Sequence, residues 1–299
     1  MIPFKKWLIF VLTISINNAC MNKMEGPMVS AEWLAENINT ENLVIVESKL
    51  KPIGATDDWE SGSKIPGAVQ MDINADFSDL TTDLPHMLPS ENEFEQAAQK
   101  LGISNNSTVV IYDQVGVYSS PRAWWMLRAM GHDKVYILDG GIHAWKEEVN
   151  ETVPAKWELG AKGNFKAKRN ESLIYDSAKM LGIVGDDKVS IWDARSQGRF
   201  DGTSPEPRPG LRGGHIPGSQ CLPFQEVQAG YKMKSKEELN AIFAAPELKD
   251  KSLVMTCGSG VTASIIALAA EIAGHENVAV YDGSWAEWGM PSELPVEKK

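Results

Sequence analysis

One pattern occurs twice in this chain, and the duplication limits its fold more than any other feature. Met130-Gly131-His132-Asp133-Lys134-Val135 is echoed by Ala273-Gly274-His275-Glu276-Asn277-Val278. Further on, Leu138-Asp139-Gly140-Gly141 with Trp145 returns as Tyr281-Asp282-Gly283-Ser284 with Trp288. Earlier, Lys64-Ile65-Pro66-Gly67-Ala68 returns as His215-Ile216-Pro217-Gly218-Ser219. The offset stays near 143–151 residues throughout, a register that chance similarity does not hold. Two duplicated domains follow, and a length of 299 residues suits two.

Each half alternates strand-like and helix-like stretches. Residues 43–47 and 107–112 are short β-branched runs, and a helical stretch starts at Pro121, which suits a first turn, with Gly131 just past its end. In the second half, residues 189–193 and 252–255 read as strands and 262–273 as a helix closed by Gly274. Such alternation predicts an α/β fold, with a parallel sheet covered by helices on both faces in each domain. Residues 28–150 are expected to form the first domain and 165–295 the second. The polar stretch 151–164 lacks apolar periodicity and reads as a linker. Trp124, Trp125, Trp145 and Trp288 recur in or beside the repeated motifs and are expected in the cores.

Composition removes several classes of function. Hydrophobic residues make up 43% and charged residues 23%, near globular averages, which excludes disordered, collagen-like and coiled-coil chains. A net charge of −11 repels phosphate backbones, so no nucleic-acid partner is expected. Three cysteines, Cys20, Cys221 and Cys257, are too few and too scattered for a disulfide scaffold or a zinc knuckle. Five histidines form no HExxH motif, so no metal site is expected. At the N-terminus, Lys5 and Lys6 precede a ten-residue apolar run, Trp7 to Ile16, then Asn17-Asn18-Ala19-Cys20. The run suits the core of a secretory signal and is too short to span a bilayer. Residues 1–20 are therefore expected to direct export to the periplasm. Three outcomes stay open: a lipid anchor on Cys20, plain cleavage near Ala19, or an uncleaved N-terminus. Without export the protein stays cytoplasmic.

The segment that carries chemistry is Met255-Thr256-Cys257-Gly258-Ser259-Gly260-Val261-Thr262-Ala263. A buried strand ends at Cys257, a Gly-rich loop follows, and a helix starts near Thr262. The glycines let the backbone curl so that several N–H groups point inward, and the helix dipole adds to them. Such a cradle favours an anion at the cysteine sulfur, the form in which cysteine attacks.

With both Ile-Pro-Gly motifs, Pro121-Arg122-Ala123-Trp124-Trp125, Asp193-Ala194-Arg195 and this cysteine loop, the chain resembles the tandem-domain rhodanese superfamily of sulfurtransferases, from about Met28 to Pro295. The resemblance implies that only the second domain is catalytic. Asp113 stands at the position equivalent to Cys257, and an aspartate cannot carry a sulfane sulfur. Uncharged Gly258-Ser259-Gly260 resembles the branch that uses 3-mercaptopyruvate, whereas branches that use thiosulfate carry cations there. Arg208, in Pro205-Glu206-Pro207-Arg208, points the same way, and with Arg199 it is expected to hold the substrate carboxylate and ketone. Gly258, Gly260, Val261 and Thr262 are expected to line the substrate site. Arg195 is expected to be a structural ion-pair partner, and Cys221 a core residue.

In that branch, the residue equivalent to His86 reaches from the first domain to the loop serine, here Ser259, as a proton relay. The acidic member of the relay is open: Asn74 stands near its place, with Asp72 and Asp76 on either side. The resemblance implies transfer of sulfur from a small-molecule donor, through a Cys257 persulfide, to cyanide or a thiol acceptor such as a thioredoxin-like protein, with neither metal nor organic cofactor required. Thiosulfate:cyanide sulfur transfer is the alternative, and a non-enzymatic persulfide carrier or redox-sensing module is the alternative outside enzymology. Cysteine phosphatases use a similar loop but need an arginine six positions after the cysteine, where this chain has Ala263.

Overall fold

The computed structural model describes residues 26–57, 59–245, 248 and 250–299. The expected export signal and Cys20 lie outside the described residues. Among those described are two five-stranded parallel sheets. The first runs in the order Met28–Val29, Val135–Leu138, Thr108–Tyr112, Leu43–Lys49, Val69–Asp72. The second runs Ile174–Tyr175, Val278–Tyr281, Ser252–Thr256, Val189–Asp193, Gln220–Cys221. The two orders are equivalent, so the duplicated sequence is a duplicated topology. The central strand of the first sheet, Thr108–Tyr112, is buried at every residue, as a parallel strand covered on both faces must be.

The helices that follow the two central strands are Ser120–Ala129, with Pro121 in its first turn, and Val261–Ile272. Both are apolar nearly all round, because each packs on its own sheet and on the other helix. Arg128 and Glu271 pair across this contact at 2.5 Å. One continuous apolar core therefore runs through both domains, with Ala123, Trp124 and Leu127 in the same cluster as Ile265, Leu268 and Ala269. Trp124, Trp125, Trp145 and Trp288 are all buried, as expected. Cys221 is not a core residue. It sits half-buried on the edge strand Gln220–Cys221, where partial burial pushes its thiol up to about 11.

The connection between the domains is more structured than its composition suggests. Val153–Pro154 pairs antiparallel with Ser63–Lys64, and the Gly163, Phe165, Lys168 and Asn170 N–H groups bond to carbonyls of the first domain. Residues 165–170, placed by sequence in the second domain, thus run along the first. The strand contacts here are two-residue, backbone-to-backbone pairs, and such pairs leave no side-chain periodicity to read.

Candidate active site

Cys257 follows the central strand Ser252–Thr256, at the carboxyl edge of the sheet where open α/β folds place their ligands. It is 2% exposed, so little beyond its sulfur meets the cleft. The Ser259 N–H donates to Cys257 Sγ at 3.4 Å. Behind the loop, the Ser284 hydroxyl accepts from the N–H groups of Cys257 at 3.2 Å and Gly260 at 3.0 Å, and donates to the Tyr281 carbonyl. The carbonyls of Cys257 and Gly258 accept from the N–H groups of Trp285 and Ala286. The bonds to Ser284, Trp285 and Ala286 tie the loop to the Ser284–Trp288 helix. The first turn of Val261–Ile272 begins four residues after Cys257 and lines the same cleft, its N–H groups without intrahelical partners and its dipole positive. Gly260 sits at φ +76°, and a Cβ there would come 2.7 Å from Arg122 Nη1. Only glycine fits.

Two side chains converge on the Ser259 hydroxyl. His86 Nδ1 lies 3.0 Å from Ser259 Oγ, and Arg208 Nη2 donates to the same oxygen at 3.4 Å. A neutral imidazole offers Nδ1 as an acceptor for the Ser259 hydroxyl proton in one of its tautomers, whereas a protonated ring offers none. The site keeps the ring neutral. Burial, then the charges of Arg122 and Arg208, push His86 down to about 4. Burial likewise holds the Arg208 guanidinium below its ordinary range, with Cys257 opposing that shift. Cys257, Ser259, His86, Arg199 and Arg208 share one cleft of about 820 Å³ with Val261 and Thr262.

A family model described as a rhodanese-like domain matches residues 30–148 and again 177–290. The chain belongs to the rhodanese family. Among curated rhodanese relatives, the 3-mercaptopyruvate sulfurtransferase of Escherichia coli is 39% identical over 275 residues, covering 90% of this chain and 97% of the relative. The mitochondrial thiosulfate/3-mercaptopyruvate sulfurtransferase 1 of Arabidopsis thaliana is 35% identical over 300 residues, covering 91% and 78%. The crystal structure of SseA, a 3-mercaptopyruvate sulfotransferase from Escherichia coli, superposes with a TM-score of 0.77 at 35% identity, covering 88% of this chain and 100% of that one.

The two rhodanese domains treat the same loop differently. In the first, the Asp113 carboxylate accepts from the N–H groups of Val115, Tyr118, Ser119 and Ser120 and from the Ser120 hydroxyl. Where the second rhodanese domain has the Cys257 sulfur, accepting from the Ser259 N–H, the first has the chain's own carboxylate accepting from five donors. Tyr231, from the second domain, packs on this loop: a Cβ at Gly116 would run into the Tyr231 backbone.

Not every expected residue takes the expected place. Gly260 does not line the cleft, because its N–H and carbonyl face inward to Ser284, Ser264 and Arg122. Arg199 lies against Gly258 but spends Nε and Nη2 on Glu206, which leaves Nη1 for a ligand. Arg195 is the expected ion-pair partner, held by Asp193 at 2.6 Å and Glu206 at 2.8 Å. Asp72 pairs with Lys49 and accepts from the Asn74 N–H, while Asp76 is exposed. Neither bonds to His86, and Asn74 lines the cleft. Sequence reasoning missed Ser284, Glu206, Asp282, the role of Arg122, and Tyr118, whose ring stands edge-on to Phe224 in the cleft wall. Repeat alignment offered one signal, since Ser284 departs from the glycine found at the equivalent Gly141.

Proposed function

We propose that this rhodanese moves sulfane sulfur from 3-mercaptopyruvate to a thiol or cyanide by double displacement. The observation that carries the reading is the convergence of Cys257, Ser259, His86 and Arg208 on one cleft. The Cys257 thiolate attacks the donor sulfur and forms the S–S bond. The carbon–sulfur bond breaks, and its electron pair passes to the methylene carbon to give the enolate of pyruvate. The proton of the donor thiol travels through Ser259 and neutral His86 to that carbon, leaving a Cys257 persulfide anion and pyruvate. Arg208 and the free edge of Arg199 hold the donor carboxylate and the developing enolate charge, where fixed cations favour the transition state. An acceptor thiolate or cyanide then takes the outer sulfur and restores the Cys257 thiolate. Alternating half-reactions give ping-pong kinetics.

Steady-state assays with cyanide as acceptor, comparing kcat/KM for 3-mercaptopyruvate and thiosulfate, test the donor. Mercaptopyruvate is expected to be preferred at least tenfold. Preference for thiosulfate would establish the alternative activity, and a persulfide that loads but never turns over would make the protein a carrier. The N-terminal Lys5-Lys6 and Trp7 to Ile16 pattern supports export, and with it a periplasmic thioredoxin-like acceptor and a Cys20 lipid. Sequencing the mature N-terminus from membrane and periplasmic fractions decides this, and an intact Met1 in the cytosol rejects it.

A further inference from the structure

His86 belongs to the first domain and Ser259 to the second, yet they meet at 3.0 Å. What holds them there is not adjacent to either in sequence. His86 has φ +63°, in the left-handed region that a non-glycine residue occupies only when its surroundings impose it. The backbone just past its Cα is fastened at two points to one ion pair. Arg122, fully buried, donates from Nη2 to the His86 carbonyl at 2.5 Å and to Asp282 Oδ1 at 2.5 Å. Asp282 Oδ2 in turn accepts from the Leu88 N–H at 2.8 Å. Arg122 itself is fixed over the Trp125 ring at 4.4 Å, and its Nη1 reaches the Gly260 carbonyl of the cysteine loop at 3.5 Å.

We propose that Arg122 and Asp282 are a positioning pair that bridges the domains and holds the His86 segment in the one backbone conformation from which the imidazole reaches Ser259. Neither residue lines the cleft, so neither is catalytic. Arg122 suits the task because one planar fork serves three carbonyl or carboxylate oxygens, which a lysine ammonium on a flexible stem does not reproduce. Asp282 suits it because both carboxylate oxygens accept, one from Arg122 and one from Leu88. Asparagine at that position has a single acceptor oxygen and must release one of them. The inference rests on the relay proposed for His86 and Ser259.

The test is a double-mutant cycle on the full chain, with single-turnover persulfide formation from 3-mercaptopyruvate as the readout. His86→Gln is expected to slow the step roughly a hundredfold. Arg122→Lys and Asp282→Asn are each expected to slow it about tenfold, the cost of a misplaced proton carrier, with KM unchanged because Arg199 and Arg208 are untouched. In the His86→Gln background neither substitution is expected to slow it further, because both act through His86. Additive losses, a raised KM with kcat intact, or full activity in both variants would overturn the proposal. Should Arg122→Lys fail to fold, by circular dichroism and melting, Asp282→Asn carries the same test. A separate failure is also visible: if His86→Gln forms persulfide as fast as the parent, the relay itself is wrong and the positioning role falls with it.

Discussion

At the scale of single residues, the site depends on one proton and one anion. His86 is pushed down to about 4, first by burial and then by Arg122 and Arg208. The folded ring therefore takes up a proton less readily than the unfolded one. The stability of the neutral ring is fully present above about pH 6.5 and is lost as pH falls toward 4. An NMR titration of the imidazole in the free protein is expected to show no inflection near 6.5, and the His86 acid limb of kcat/KM is expected near 4. A midpoint near 6.5 would mean the ring is solvated. Arg208→Asp replaces a guanidinium beside Ser259 with a like charge for an anionic donor. The loss is expected to be roughly tenfold or more in mercaptopyruvate kcat/KM, read by steady-state kinetics. Cys257 was legible in the sequence because its strand–loop–helix motif carries its chemistry locally, whereas Ser259, His86, Arg199 and Arg208 were reached through the resemblance to the rhodanese superfamily. Arg122 and Asp282 were reached by neither route, because their bond spans 160 residues and nothing in either motif points to the other.

At the scale of elements, the strand–loop–helix unit around Cys257 was readable, and its support was not. Residues 252–255 and 262–273 were expected and Ser252–Thr256 and Val261–Ile272 are found, since apolar runs and glycine boundaries are local signals. The Ser284–Trp288 helix that grips the loop is too short to announce itself by periodicity. Ser284 is held at φ +50° there, and its buried hydroxyl takes two loop N–H groups at once. Ser284→Ala leaves both donors unsatisfied, at about 1–3 kcal/mol each, so a clear fall in melting temperature is expected. The loop should also lose order, so persulfide formation is expected to fall several-fold with the donor KM less affected. An unchanged melting curve would show that the loop holds its shape without this hydroxyl.

At the scale of the whole molecule, the duplication was the most readable feature, and the way the halves join was the least. The Ser120–Ala129 and Val261–Ile272 helices occupy equivalent places in their domains and pack on each other, so the core does not stop at the domain boundary. Calorimetry of the full chain is accordingly expected to show one transition, with van't Hoff and calorimetric enthalpies equal. Two resolved transitions would mean that the halves fold independently. The Asp113 cradle has a different consequence, for counting. A duplicated chain with two matching anion cradles invites an expectation of two equivalents per molecule and of communication between them. Because one cradle is occupied by a carboxylate that cannot dissociate, only the other is open to a ligand. Of the two cradles, only the one at Cys257 can take a simple dianion that competes with the donor, so inhibition curves are expected to be hyperbolic with a Hill coefficient of about 1.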